Sequence, residues 1–445
     1  MKRFLTDGAR RFECSRVRVE PCAAPPEMQL VKVYPELGFQ RVVGFGAALT
    51  EASGYVFAQM GDELQRRFVR LCFGPEGNRY SLARVSVQSC DFSLGPRPYV
   101  RDPEDGRLAT FSIDDDFAYV VPLALAAVRE NARLEFLASP WSPPAFMKSN
   151  DAMKHGGRLR KRYYDRWAQV IARFVGEYRA LGIPITRLTV QNEPNATQVW
   201  ESCRFTAAEE RAFLGAHLKP ALRAAGLGDV KALGWDHNKE SALERTASLL
   251  AHGGAADLDG IAFHWYSGDH FEALRVVRDV LGPDRELIFS EGCDAYSAGD
   301  PACELPHAEH YAHEVIGDLE AGANGIIDWN ILLDERGGPN DVGNFCDAPI
   351  MFDTATGELR VRLPFHYLGH FSRFIAPGAR RLLTTRYMTD LETCAFENPD
   401  GSHALVALNR TDRDIPFSLT WGDGLLERRI AHTSAPAHSI QTLVW

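Results

Sequence analysis

No stretch of this chain is apolar for the roughly 18 residues that a membrane span needs. Its 9 cysteines are odd in number and scattered, and none falls in a Cys-x-x-Cys pair. Neither a disulfide framework nor a zinc cluster is expected. His-x-His and His-Glu-x-x-His spacings are absent as well, so no metal site is legible at close range. The net charge of −10 comes without a basic block, which argues against nucleic acid or an anionic membrane as partner. The start, Met1-Lys2-Arg3-Phe4-Leu5, is basic but has no apolar stretch behind it, unlike a signal peptide. A cytoplasmic chain with reduced cysteines is the expectation. Low-complexity tracts and short repeats are also lacking.

What is present is globular: 45% hydrophobic and 24% charged over 445 residues. That length suits a barrel plus an accessory domain. Short apolar runs alternate with amphipathic helical stretches. The runs are Arg41–Phe45, Leu82–Val87, Leu134–Ala138, Ile185–Val190, Val230–Gly234, Gly260–Phe263, Glu286–Phe289 and Gly325–Ile327. Helices are expected near 55–73, 116–130, 160–181, 206–225, 240–252, 270–281, 305–321 and 363–374. Eight strand–helix units favour a closed (β/α)8 barrel over an open doubly wound sheet. After about Ala376 short alternating strands replace helices, with turn signals such as Asn398-Pro399-Asp400-Gly401. The expected division is N-terminal strands at 1–38 that join a β-sandwich, a catalytic barrel at 39–375, and the C-terminal β-sandwich at 376–445.

In such a barrel the active site lies at the C-terminal strand ends. Two runs end in a lone carboxylate, at Asn192-Glu193-Pro194 and at Ser290-Glu291-Gly292. Either alone reads as an ordinary surface glutamate. Together at one barrel mouth they are what glycoside hydrolysis requires: an acid for the leaving oxygen and a carboxylate for the sugar. The other strand ends carry Asp91, Trp141, Trp235-Asp236-His237-Asn238, His264-Trp265-Tyr266 and Asp328-Trp329-Asn330. Indoles can stack on sugar faces, while Asp, Asn and His can pair with hydroxyls. A lone tryptophan there is more often core or barrel lid than a sugar platform, and the histidines could be structural. His237, Asp236, His264 and Glu291 could also ligate a metal, though no close spacing supports it. Asn192 beside Glu193 can bond a sugar 2-hydroxyl.

These peptides together resemble glycoside hydrolase family 30, the family of acid β-glucosidases of the glucosylceramidase type. The stretches that carry the likeness are GFGAALTEAS at 44–53, RVSVQSCDFS at 84–93, LASPWSPPAFMKSN at 137–150, QNEPN at 191–195, FHWYSG at 263–268, FSEGC at 289–293, DWNILLDERGGPNDVGNFCDAPI at 328–350, FHYLGHFSRFIAPGARR at 365–381 and PAHSIQTLVW at 436–445. The resemblance implies that Glu193 is the acid/base and Glu291 the nucleophile. It implies that Asp91, Trp141, Asn192 and Trp329 hold the nonreducing sugar, that Tyr266 and Asn344 line the site, and that Arg84 and His264 stand beside the carboxylates. It also implies a barrel with a β-sandwich from both chain ends, and neither metal nor organic cofactor. The chain departs from the family's lysosomal member at Asp341, where that protein has an aromatic residue, and in the loops near 94–112 and 195–205. These departures weigh against a lipid aglycone.

The resulting expectation is a retaining β-glycosidase acting on a terminal β-D-glucosyl or related residue of a small glycoside or oligosaccharide. Glu193 should be the carboxyl whose proton is retained near neutral pH, with Arg84 favouring an ionised Glu291. Two alternatives within the family are an endo-β-1,6-glucanase and a β-xylosidase. From another class stands a noncatalytic carbohydrate-binding protein, which would not need both glutamates.

Overall fold

The computed structural model describes residues 1–22, 26–423 and 427–445. Eight parallel strands close into a barrel in chain order: Gly44–Ala48, Leu82–Val87, Glu135–Pro140, Ile185–Thr189, Lys231–Asn238, Gly260–His264, Glu286–Glu291 and Gly325–Asn330. The last pairs with the first, Gly325 opposite Gly44. Strands covered by helices outside and filled inside are buried on both faces, which is why they read as apolar runs. The barrel interior is packed by Leu82, Leu137, Leu233, Ala262, Ile288 and Ile327. Because side chains alternate along a strand, the position two residues further on four of these strands again points inward. Those positions hold Arg84, Ser139, His264 and Ser290. The apolar plug thus gives way to polar groups one layer nearer the C-terminal mouth.

Two local details differ from the sequence pattern. The single helix expected near 55–73 is two, Glu51–Ala58 and Asp62–Phe73, with the break at Gln59–Gly61. Thr50 caps the first by accepting from the Ser53 amide at 3.1 Å, and donates to Asn330 Oδ1 at 2.7 Å. The run Arg41–Phe45 is not one strand either. Arg41 ends a long strand, Leu30–Arg41, and the barrel begins only at Gly44.

That long strand belongs to the second body. A ten-stranded ladder runs in the order 13–16, 2–6, 439–444, 403–409, 391–397, 380–386, 30–41, 415–423, 427–435 and 20–22. Strand Glu427–Ala435 has no counterpart in the apolar pattern, because its sequence, ERRIAHTSA, is mostly polar. Val31, Leu382, Leu405, Phe417 and Leu443 share one core, so distant strands of the ladder face each other as a sandwich. Both chain ends are needed for it: Lys2–Thr6 pairs with Ser439–Val444. Buried His370, on the helix Leu363–Ser372, ties this body to the barrel through Thr6 Oγ1 at 2.8 Å and Thr442 Oγ1 at 2.9 Å.

Candidate active site

A cavity of about 340 Å³ opens at the C-terminal barrel mouth. Asp91, Trp141, Asn192, Glu193, Tyr266, Glu291, Trp329 and Asn344 line it. Arg84 and His264 lie beneath, fully buried. The structure therefore brings together all ten residues singled out in the sequence. Its wall also contains Gln198, Trp200, Phe345, Cys293 and Cys346, which no strand-end argument selects because they sit on loops.

Glu193, His264 and Glu291 each present one atom such that all three atoms lie within 4.8 Å of one another. An oxygen of each carboxyl thus lies within 4.8 Å of the other, the close approach of retaining enzymes (about 5–5.5 Å) and not the roughly 6.5–9.5 Å that leaves room for an inverting water. The same three groups could in principle hold a cation. Glu291, however, already accepts from the Arg84 guanidinium, Nη1 to Oε2 at 2.5 Å, and a divalent ion would sit against that positive charge.

Arg84 organises the floor. Its Nη2 donates to Asn192 Oδ1 and Asp236 Oδ2, both at 2.9 Å, and its Nε to Ser139 Oγ at 3.1 Å. With Asn192 Oδ1 thus engaged, its NH2 group remains as the donor toward a sugar. The guanidinium carbon also lies 4.7 Å from the Trp141 ring centroid and 5.5 Å from that of Trp329. The two indoles stack on each other at 5.3 Å. Asp236, fully buried, further accepts from Thr189 at 2.6 Å, Ser290 at 2.6 Å and Ser139 at 2.9 Å. Burial opposes its charge, but Arg84, His264 and Ser290 outweigh that and hold it far below the usual carboxylate range. Glu193, Trp235, Asp236 and Gln88 all have positive φ, between 45° and 72°. Non-glycine residues in that region store strain and cluster at functional sites.

The protons are distributed differently from the sequence-based expectation. Burial acts against the His264 charge, yet Glu291, Asp236 and Glu193 outweigh it and raise the imidazole to about 9. Burial also opposes ionisation of Glu193, but His264 and His237 overcome it and lower this carboxyl. Glu291 is raised, by burial foremost and by the charge of Glu193, against the pull of His264 and Arg84. So Glu291 rather than Glu193 is the raised member. Glu193 has both His264 Nδ1 at 3.4 Å and His237 Nε2 at 3.9 Å beside it, whereas Glu291 has His264 only at 3.9 Å and the charge of Glu193 against it, a proximity invisible in sequence. Nearby, burial and the charge of Glu291 push Asp91 up to about 8.

A barrel mouth with two carboxyls at this separation, floored by indoles and amides, defines a retaining glycoside hydrolase. Comparison with known proteins narrows this. Residues 42–375 match the glycosyl hydrolase family 30 TIM-barrel domain, and residues 378–443 its beta sandwich domain. The chain belongs to glycosyl hydrolase family 30. It is 33% identical over 439 residues to the lysosomal acid glucosylceramidase of Mus musculus, covering 94% of this chain and 83% of that one. It is 26% identical over 394 residues to an endo-1,6-beta-D-glucanase of Neurospora crassa, covering 84% and 80%. Among solved structures, SrfJ from Salmonella typhimurium superposes with a TM-score of 0.96 at 37% identity, covering 100% of this chain and 99% of that one. An endo-beta1,6-glucanase superposes with a TM-score of 0.88 at 25% identity, covering 100% and 98%.

Proposed function

We propose that this enzyme removes a terminal β-D-glucosyl residue by double displacement. The observation that carries the exo reading is the cavity. At about 340 Å³ it lies at the small end of ligand cavities, roughly 300–1,000 Å³. It has room for one sugar ring and the first atoms of an aglycone.

Glu291 attacks the anomeric carbon while Glu193 protonates the departing oxygen, and water activated by Glu193 then releases the glycosyl group. Arg84 and Tyr266, whose hydroxyl donates to Glu291 Oε1 at 3.1 Å, orient the nucleophile. Glu193 needs a proton for the first step, and His264 faces it as an imidazolium 3.4 Å away. Asp91 and the Asn192 amide bind sugar hydroxyls, and Trp141 and Trp329 form the apolar floor. Asp341, whose backbone amide donates to Asp91 O at 2.9 Å, is paired with Lys154 at 2.6 Å, and a charged pair beside the sugar-binding Asp91 favours a sugar or polar aglycone over a lipid one.

A second reading, endo-cleavage of β-1,6-glucan, is favoured by the likeness to endo-1,6-glucanases in both sequence and structure. A panel of aryl β-glycosides, glucosylceramide and β-1,6-gluco-oligosaccharides tests both readings. Release of glucose with retained β configuration is the expected product. Internal cleavage of long β-1,6 chains, with aryl glucosides left intact, would replace the first reading by the second.

A further inference from the structure

Two thiols stand in the wall of the catalytic cavity, on segments that each follow a site residue by two positions. Cys293 follows Glu291, and Cys346 follows Asn344. The segments are laced together by backbone bonds: Asp347 N donates to Asp294 O at 3.0 Å, and Ala295 bridges Cys346 in antiparallel fashion. In that antiparallel register Cys293 and Cys346 take diagonal positions on one face and share one buried cluster, and both are free. Cys293 Sγ also lies 3.5 Å from the Tyr266 hydroxyl, the group that donates to Glu291. Asn344, on the Cys346 side, reaches Asp91 through its amide at 3.5 Å.

We propose that Cys293 and Cys346 are a dithiol modification site, joined by peroxide-class oxidants into a disulfide that stops hydrolysis. One thiol attacks hydrogen peroxide, giving a sulfenic acid and one water. The second thiol then attacks that sulfur and expels a second water. The thiols lose two electrons and two protons, and the peroxide is reduced to two waters. Both cysteines border the cavity, so a molecule as small as peroxide reaches them through the mouth that admits substrate. A disulfide draws its sulfurs to about 2.05 Å, so the segments 293–296 and 344–347 must close up. Tyr266 then loses its sulfur partner beside Glu291, and Asn344 shifts from Asp91. The hydrogen bond with Cys346 and then burial push the Cys293 thiol well above its ordinary range. The thiolate is the reactive form, so the reaction quickens as pH rises.

The effect on turnover rests on the glycosidase reading, but the bond itself does not. Full-length protein is treated with hydrogen peroxide and digested with trypsin without reduction. The expected link joins peptides 286–336 and 337–360, and fragment ions assign it to Cys293 and not to Cys303. Hydrolysis of whichever β-glycoside the untreated enzyme cleaves falls at least tenfold and returns with dithiothreitol. The Cys346→Ser variant, measured against its own untreated rate, keeps that rate after the same treatment. The proposal fails if no such link forms, if activity survives once it has formed, or if Cys346→Ser is inactivated equally. Should the untreated enzyme cleave no β-glycoside, the glycosidase reading falls, while the peptide map still decides the bond.

Discussion

Arg84 Nη2 and Asp236 Oδ2 are 2.9 Å apart, and neither side chain touches solvent. The same guanidinium reaches Glu291 and Asn192, so one buried ion pair aims both the attacking carboxylate and the amide beside the acid. Breaking a buried pair from one side leaves an uncompensated charge and costs about 3–5 kcal/mol. Asp236→Asn should lower the urea-unfolding free energy by about that amount and reduce kcat. A loss below about 1 kcal/mol would mean that Glu291 alone compensates Arg84.

The two glutamates should separate by role. Glu291→Gln removes the nucleophile and should abolish turnover of every substrate. Glu193→Ala should lose on the order of 10²–10⁴ in rate on alkyl glycosides, but far less in the glycosylation step with dinitrophenyl glycosides, whose leaving group departs unaided. Azide, which needs no base, should restore turnover of this variant as a β-glycosyl azide. A β-glycosyl azide from the Glu291 variant, with an α-glycosyl azide from the Glu193 variant, would reverse the assignments.

Stability should fall as the solution turns alkaline. His264 is raised from 6.5 to about 9 in the fold, so its contribution is fully present below pH 6.5 and is lost as pH rises through 9. Asp91 acts with the same sign. Its carboxyl is raised from 3.8 to about 8, and the fold loses stability across that window as the group ionises. Urea unfolding between pH 6.5 and 9 should lose on the order of 5 kcal/mol, the larger part from His264. Asp91→Asn should flatten only the part below pH 8. A flat profile in the Asp91→Asn variant would show that His264 is not protonated in the fold.

Gly46→Ala should prevent folding. A Cβ at position 46 would lie 1.6 Å from the Leu82 carbonyl oxygen on the neighbouring barrel strand. That atom is backbone and cannot turn aside, so the cost should exceed about 4 kcal/mol. Soluble yield and a thermal melt measure it. A normal melting temperature would mean that the first two strands separate freely.

The sequence by itself determined the elements and which of their ends carry chemistry. Local periodicity depends only on neighbouring residues, so eight buried runs and their helices were readable, as were Glu193 and Glu291 at two strand ends. Where local rules compete, the pattern blurred. Gly61 split one expected helix, and the polar strand Glu427–Ala435 is recruited only by pairing with Ile415–Asp423. Tertiary structure alone decided the electrostatics. Asp236 looked like a candidate metal ligand in sequence, and its partners Arg84, Ser139, Thr189 and Ser290 come from four other strands. His264 inverts the ordering of the two glutamates because barrel closure sets it between them. Cys293 and Cys346 lie on separate loops brought together by backbone pairing. Strand and helix identity follow from short-range preferences, whereas a pKa or a thiol contact depends on distances that the closed barrel fixes.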